Sequence, residues 1–233
     1  MPDTLHPVPN TTVLSNRPLV GLTLLVVEDS RYASDAVRLL AMRSGARLRR
    51  ADCLASADRH LKVYCPDAIL IDLGLPDGRG EDLIRRLRTA SPRIPAILAL
   101  SGQDDAAPRA MAAGADGFMA KPISSMLAFQ RSILSALPPD PTPRRCDSDD
   151  QTIRPDPVGL SDDLRHVVRA LTKAGQPPSR DYVARFLGSL ARSASDPRLE
   201  RAAKDFASQA PAAQVLAHLE GLLDTRIDAP TRL

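Results

Sequence analysis

Ala68-Ile69-Leu70-Ile71-Asp72 is a run of four apolar residues closed by a carboxylate, and three further stretches repeat the pattern. Leu22-Thr23-Leu24-Leu25-Val26-Val27 ends in Glu28-Asp29, Pro95-Ala96-Ile97-Leu98-Ala99-Leu100 ends in Ser101, and Gly117-Phe118-Met119-Ala120 ends in Lys121-Pro122. Continuous apolar runs of this length, alternating with longer amphipathic stretches, are the signature of parallel strands buried on both faces. Ligands of such sheets gather outside the carboxyl ends of the strands. Three carboxylates, a hydroxyl and an ammonium at strand ends therefore converge on one site.

Working outward, the spacing predicts five βα repeats. A strand at 22–27 leads to a helix over 31–44, stopped at Gly45, and a short strand at 47–52 precedes a helix near 55–64. The strand at 68–72 passes through Leu73-Gly74-Leu75-Pro76-Asp77-Gly78-Arg79-Gly80 into a helix near 80–90. The strand at 95–100 is followed by a helix ending at Gly114, and the one near 116–119 by a helix near 124–137. Pro108 falls inside the fourth helix and is tolerated only in a first turn, so that helix is expected to start late or be short. The fold expected is α/β: a doubly wound five-stranded parallel sheet, order 2-1-3-4-5 and flavodoxin-like, followed by a small all-α domain.

The domain boundaries follow from composition. Residues 1–20, with four prolines and polar filler, read as a mobile extension, and 21–137 as the α/β domain. Residues 138–157, with Pro138-Pro139-Asp140-Pro141-Thr142-Pro143, read as a semi-extended linker. Beyond it, 158–233 carries apolar residues at helical spacing only. Ser161-Asp162-Asp163 is expected to cap the first of four helices, Ser179 with Asp181 to open the second, and Asp196-Pro197 the third. Val215, Leu216, Leu219, Leu222 and Leu223 stripe the fourth, more broadly than one neighbour would cover, which predicts a homodimer through this domain.

Composition narrows the function classes. The net charge is +3, and basic against acidic residues number 17 to 14 in 1–137, 3 to 5 in 138–157 and 11 to 9 in 158–233. No region has the basic excess of a nucleic-acid-binding module, and aromatic residues are scarce. Cys53, Cys65 and Cys146 lack paired spacing and read as free thiols. The first residues have neither a basic nor an apolar stretch of a signal peptide, and no run reaches membrane-spanning length, so a cytoplasmic protein is expected.

A carboxylate is a poor nucleophile toward phosphorus, so phosphoryl acceptance depends on positioning and charge neutralisation. Mg²⁺ takes oxygen ligands and keeps several waters. Asp29 and Asp72 are expected as direct ligands, with Glu28 acting partly through water. Lys121 would pair with a phosphoryl oxygen and offset repulsion among the carboxylates; the Ser101 hydroxyl would donate to another. A cap at one strand end, a solvated Glu-Asp pair or a surface lysine would each explain one residue, but not all four strand ends together.

Glu28-Asp29, Asp72 with Pro76 four residues on, Ser101 and Lys121-Pro122 stand in an order and spacing by which residues 22–137 resemble the CheY-like receiver domain of bacterial two-component response regulators. The resemblance implies Asp72 as phosphoacceptor, a Mg²⁺ site completed by the Gly74 backbone carbonyl, and a switch through Ser101 and Phe118. Phe118 lacks the hydroxyl of a tyrosine, so its switch would be one of packing alone. It also implies a histidine kinase or phosphotransfer protein as donor, and a signalling protein with at most slow autodephosphorylation rather than an enzyme.

The helical domain matches no output class in its motifs. His166, and less so His218, are candidates for phosphotransfer, against the reading of an ordinary helix-surface histidine. The leading expectation is a module for protein contact. The alternatives are a nucleic-acid-binding transcriptional regulator and a receiver fused to a phosphotransfer domain.

Overall fold

The computed structural model describes residues 17–139, 151–153, 155–172, 178–208 and 211–227. Five strands, β1 (Thr23–Val27), β2 (Arg47–Ala51), β3 (Ala68–Asp72), β4 (Ala96–Ser101) and β5 (Gly117–Ala120), form one parallel sheet in the order β2-β1-β3-β4-β5. Every residue of β3 and β4 is buried, as their unbroken apolar sequences require. Alternate residues feed opposite cores. Leu24, Val26, Leu70 and Leu98 pack with helices α1 (Arg31–Ser44) and α5 (Met126–Ala136), whereas Leu25, Val27, Ile69 and Ile97 pack with α2 (Leu54–Leu61), α3 (Gly80–Arg88) and α4 (Ala106–Ala113).

Local chemistry sets the helix ends. Gly45 and Gly114 close α1 and α4 in the left-handed conformation that glycine adopts freely. Pro108 lies in the first turn of an α4 only eight residues long, which is how the chain accommodates it. The Asp77 carboxylate accepts from Leu54 N and Ala55 N at 2.8 and 2.9 Å, supplying a cap to α2 from the loop after β3.

The C-terminal bundle comprises α6 (Pro157–Thr172), α7 (Arg180–Ala194), α8 (Pro197–Ala207) and α9 (Ala212–Ile227). Ser179 and Asp196 cap α7 and α8 as expected. Helix α6 departs from expectation: it begins at Pro157, so Ser161-Asp162-Asp163 lies inside it and caps nothing of its own. The buried Asp163 instead caps α1 of the other domain. Its carboxylate accepts from Arg31 N and Tyr32 N at 3.0 Å each and from Ser30 Oγ at 2.8 Å.

Three further expectations are corrected. Leu19, assigned to the mobile extension, is fully buried, and its N–H donates to Ser44 O; residues 1–16 lie outside the described residues. The end of the expected linker is also part of the α/β core. Thr152 bridges Ser125, and Ile153 is 3% exposed there, whereas 140–150 and 154 lie outside the described residues. Finally, the α9 stripe needs no second copy to cover it, because Val215, Leu219, Leu222 and Leu223 are buried in the bundle against α6 and α8.

The bundle docks on the α/β domain through α6 and α7, both of which pack on α1. Tyr32 of α1 inserts partway into the bundle's core. Tyr32 and the orphan amide groups at the N-terminus of α1 make the contact specific.

Candidate functional site

Strand register brings the candidate residues to one level. Val27 pairs with Ile71, Asp72 with Leu100, and Ser101 with Ala120, so Glu28, Asp29, Asp72, Ser101 and Lys121 all emerge at the carboxyl edge of the sheet. One carboxylate oxygen from each of Glu28, Asp29 and Asp72 lies within 4.8 Å of the others. The Lys121 ammonium stands 2.6 Å from Glu28 Oε2 and 3.1 Å from Asp72 Oδ1. Ser101 Oγ accepts from Gln103 N at 3.1 Å, which leaves its hydroxyl proton free to point elsewhere. The loop after β3 is fixed by Gly80, where a Cβ would fall 2.2 Å from the Asp72 carbonyl oxygen, so only glycine fits. A Cβ on Gly74 would lie 3.8 Å from Asp72 Oδ2, which sets its backbone beside the cluster.

Three carboxylates against one ammonium leave this buried cluster two negative charges in excess when ionised. Burial pushes the Glu28 carboxyl up to about 8, aided by Asp72 and Asp29 and opposed by Lys121. Burial and the charge of Asp72 raise Asp29 to about 7, with the Tyr182 hydrogen bond opposing. Lys121 is held above the usual lysine range by Asp72 and Glu28, although burial alone would lower it. A buried oxygen-donor cluster short of positive charge fits a hard divalent cation such as Mg²⁺.

Other expected residues lie farther out. Phe118 is half-buried against the core on the α2–α4 face. His166 is exposed on α6, on the rim of a groove it shares with Asp29, and is not in the carboxylate cluster. His218 is partly buried on α9.

The bundle supplies residues that sequence reading passed over. Tyr182 donates its hydroxyl to Asp29 Oδ2 at 2.8 Å, and Ser189 Oγ accepts from Lys121 Nζ at 3.2 Å. Arg192, one turn farther along α7, lines a cavity with Asp72 and Ser101. Tyrosine, serine and arginine on the polar face of a helix look like solvated surface, and the only hint was their regular spacing along α7 at 182, 185, 189 and 192.

Residues 24–131, a little under half of the chain, match the family model described as the response regulator receiver domain. Over 117 residues the chain is 31% identical to the virulence transcriptional regulatory protein PhoP of Salmonella typhimurium and to the transcriptional regulatory protein PhoP of Escherichia coli. In each comparison 48% of this chain and 52% of the relative are covered. The chain thus spans about half the length of these curated relatives. A solved receiver domain of a sensor histidine kinase from Pseudomonas aeruginosa, with a magnesium ion coordinated in its active-site cleft, is 27% identical. The match has a TM-score of 0.45 and covers 50% of this chain and 98% of that one. No helix among the described residues is long and apolar enough to cross a membrane. The α/β domain built around Asp72 is a receiver domain of the response-regulator family.

Proposed function

We propose that this protein accepts a phosphoryl group on Asp72, with Mg²⁺ held by Asp29, Asp72 and, partly through water, Glu28, and that it signals through protein contacts of its C-terminal bundle. The observation that carries this reading is the position of one ammonium: Lys121 touches Asp72, Glu28 and the bundle's Ser189 together. A group that neutralises the phosphoryl oxygens is thereby also a group that holds the output domain. In the transfer, an Asp72 carboxylate oxygen forms the new bond to phosphorus as the bond from phosphorus to the donor's leaving atom breaks, an imidazole nitrogen in a phosphohistidine and the acyl-bearing oxygen in acetyl phosphate. The donor group leaves with that bond's electron pair, Lys121 and Ser101 offset the charge on the phosphoryl oxygens, and Mg²⁺ held by Asp29 and Asp72 would supply further positive charge there. Phe118, packed against the core, would transmit the change by packing alone. The protein donor is a histidine kinase or phosphotransfer protein, whose helices must displace the bundle or approach beside it. Incubation with Mg²⁺ and acetyl phosphate is expected to add one phosphoryl group by intact mass, and none in Asp72→Ala. An adduct that persists in the variant sinks the assignment.

A nucleic-acid output is the competing reading, because the curated relatives are named transcriptional regulators. Charge argues against it. Arg165, Arg185 and Lys204 of the bundle are paired on their own helices with Asp162, Asp181 and Glu200. DNA affinity built on phosphate contacts falls steeply with salt. Tight, salt-sensitive binding of the full chain to promoter fragments would reverse the ranking.

A further inference from the structure

Between the carboxyl ends of β3 and β4 and the face of α7 lies a cavity of about 180 Å³. Asp72, Ser101 and Gly102 line one side, and Arg185, Ser189 and Arg192 the other. That volume matches roughly six waters at ~30 Å³ each, ample for a phosphoryl group. Arg109, on the rim, is engaged by Gln103, Glu81 and Asp105, and Arg185 by Asp181. Arg192 differs from both. Its Nε is buried and has no hydrogen-bond partner among the described residues. Two glycines make room for its guanidinium. A Cβ on Gly102 would fall 2.2 Å from Nε, and one on Gly188, a turn back along α7, would lie 3.4 Å from Nη1.

A buried donor without an acceptor is costly, and such groups in native proteins call for an explanation. The ligand a guanidinium fork recognises best is a carboxylate or phosphoryl oxygen pair. We propose that Arg192 and Ser189 bind oxygens of the phosphoryl group on Asp72, so that α7 forms a wall of the phosphoryl site and phosphorylation tightens the bundle on the receiver. The inference rests on the reading of Asp72 as phosphoacceptor. The other α7 contact is compatible with a loaded site. Tyr182 occupies Asp29 Oδ2 and leaves Oδ1 for a metal ion, an arrangement in which a neighbour orients the ligand. A bundle that merely plugged the site would fill the space over Asp72; here the space is kept and lined with donors.

Hydrogen exchange of the full chain, read by mass spectrometry with Mg²⁺ alone and with Mg²⁺ plus beryllofluoride, tests the proposal. In wild type, peptides from 180–194 are expected to exchange about tenfold more slowly once beryllofluoride is added. R192Q should abolish most of that slowing and S189A a smaller part. G102A, which pushes Arg192 aside from the receiver's side, should behave like R192Q and guards against a folding defect in the arginine variant. R201Q, at an exposed site on α8, should match wild type. Faster exchange of α7 on beryllofluoride addition, no change at all, or R192Q and G102A indistinguishable from wild type would overturn the proposal. If wild type takes up neither acetyl phosphate's phosphoryl group nor beryllofluoride, the phosphoacceptor reading fails and this inference falls with it.

Discussion

The receiver and the bundle bury their apolar residues by different means. The receiver's strands are sealed on both faces by helices that follow them in the chain, and β3 and β4 reach zero exposure at nearly every position. The bundle closes its own core around Leu164, Leu187, Leu190 and Leu199, yet it sends Asp163, Tyr182 and Ser189 into the receiver. The receiver's apolar core is complete by itself, whereas the amides at the start of α1 and the bundle's Asp163, Tyr182 and Ser189 find their partners across the contact. The carboxylate cluster therefore lies at the contact between the domains, and a change in its charge is expected to act on the docking.

The largest effect should come from the cores. Ile69→Ala in β3 is expected to destabilise the receiver by about 3 kcal/mol, and Leu187→Ala in α7 to cost the bundle a similar amount. If the domains are as unequal as described, calorimetry will show L187A lowering only the bundle transition and leaving phosphoryl uptake intact, while I69A disturbs both. A single transition shifted equally by either variant would erase the distinction.

Next in size is Asp163→Ala. It strips three hydrogen bonds from the start of α1 and should cost about 2 kcal/mol, loosening the docked bundle as it does so. Proteolysis between the domains should accelerate in D163A. Unchanged cleavage would mean that the cap stabilises α1 alone.

Acidity should sharpen the contrast at the site. Without metal, Glu28 and Asp29 titrate near 8 and 7, above their unfolded values of 4.5 and 3.8. Their raised folded pKa makes a contribution to stability that is full below about pH 4 and is lost as pH rises through 7 to 8. Metal binding has the opposite sign because the ligands must be deprotonated. Mg²⁺ affinity measured by calorimetric titration should therefore rise by about tenfold between pH 6 and 8. A flat profile would mean the carboxylates are already ionised at pH 6.

The smallest effect expected is that of Tyr182→Phe. Losing the hydrogen bond to Asp29 should cost about 1 kcal/mol of docking and alter Mg²⁺ affinity by a few-fold at most, since the proposed ligands all belong to the receiver. A loss of metal binding in Y182F would make the bundle an obligatory part of the metal site.

Much of the fold was legible because its signals are local. A continuous apolar run announces a buried strand, the next residue faces the ligand edge, and Ser179, Asp196 and Gly114 mark helix ends by their own capping chemistry. Asp163 misled for the same reason: an acidic cluster before an apolar stripe reads as a cap for its own helix, and nothing local says that it caps a helix more than 130 residues earlier. The α9 stripe showed which residues are buried but not against what. Leu19 and Ile153 lay in polar or proline-rich surroundings that concealed two core positions.

The sequence by itself determined the order of strands, the acids, hydroxyl and ammonium at their ends, and the helical character of residues beyond 157. Only the tertiary structure decided that α7 lies over those strand ends, with Tyr182, Ser189 and Arg192 facing the receiver. Periodicity records how a segment divides its residues between inside and outside. Which polar outside residue meets which partner depends on how two finished surfaces fit, and that is settled by shape and by the amide and carboxylate groups each surface leaves unsatisfied.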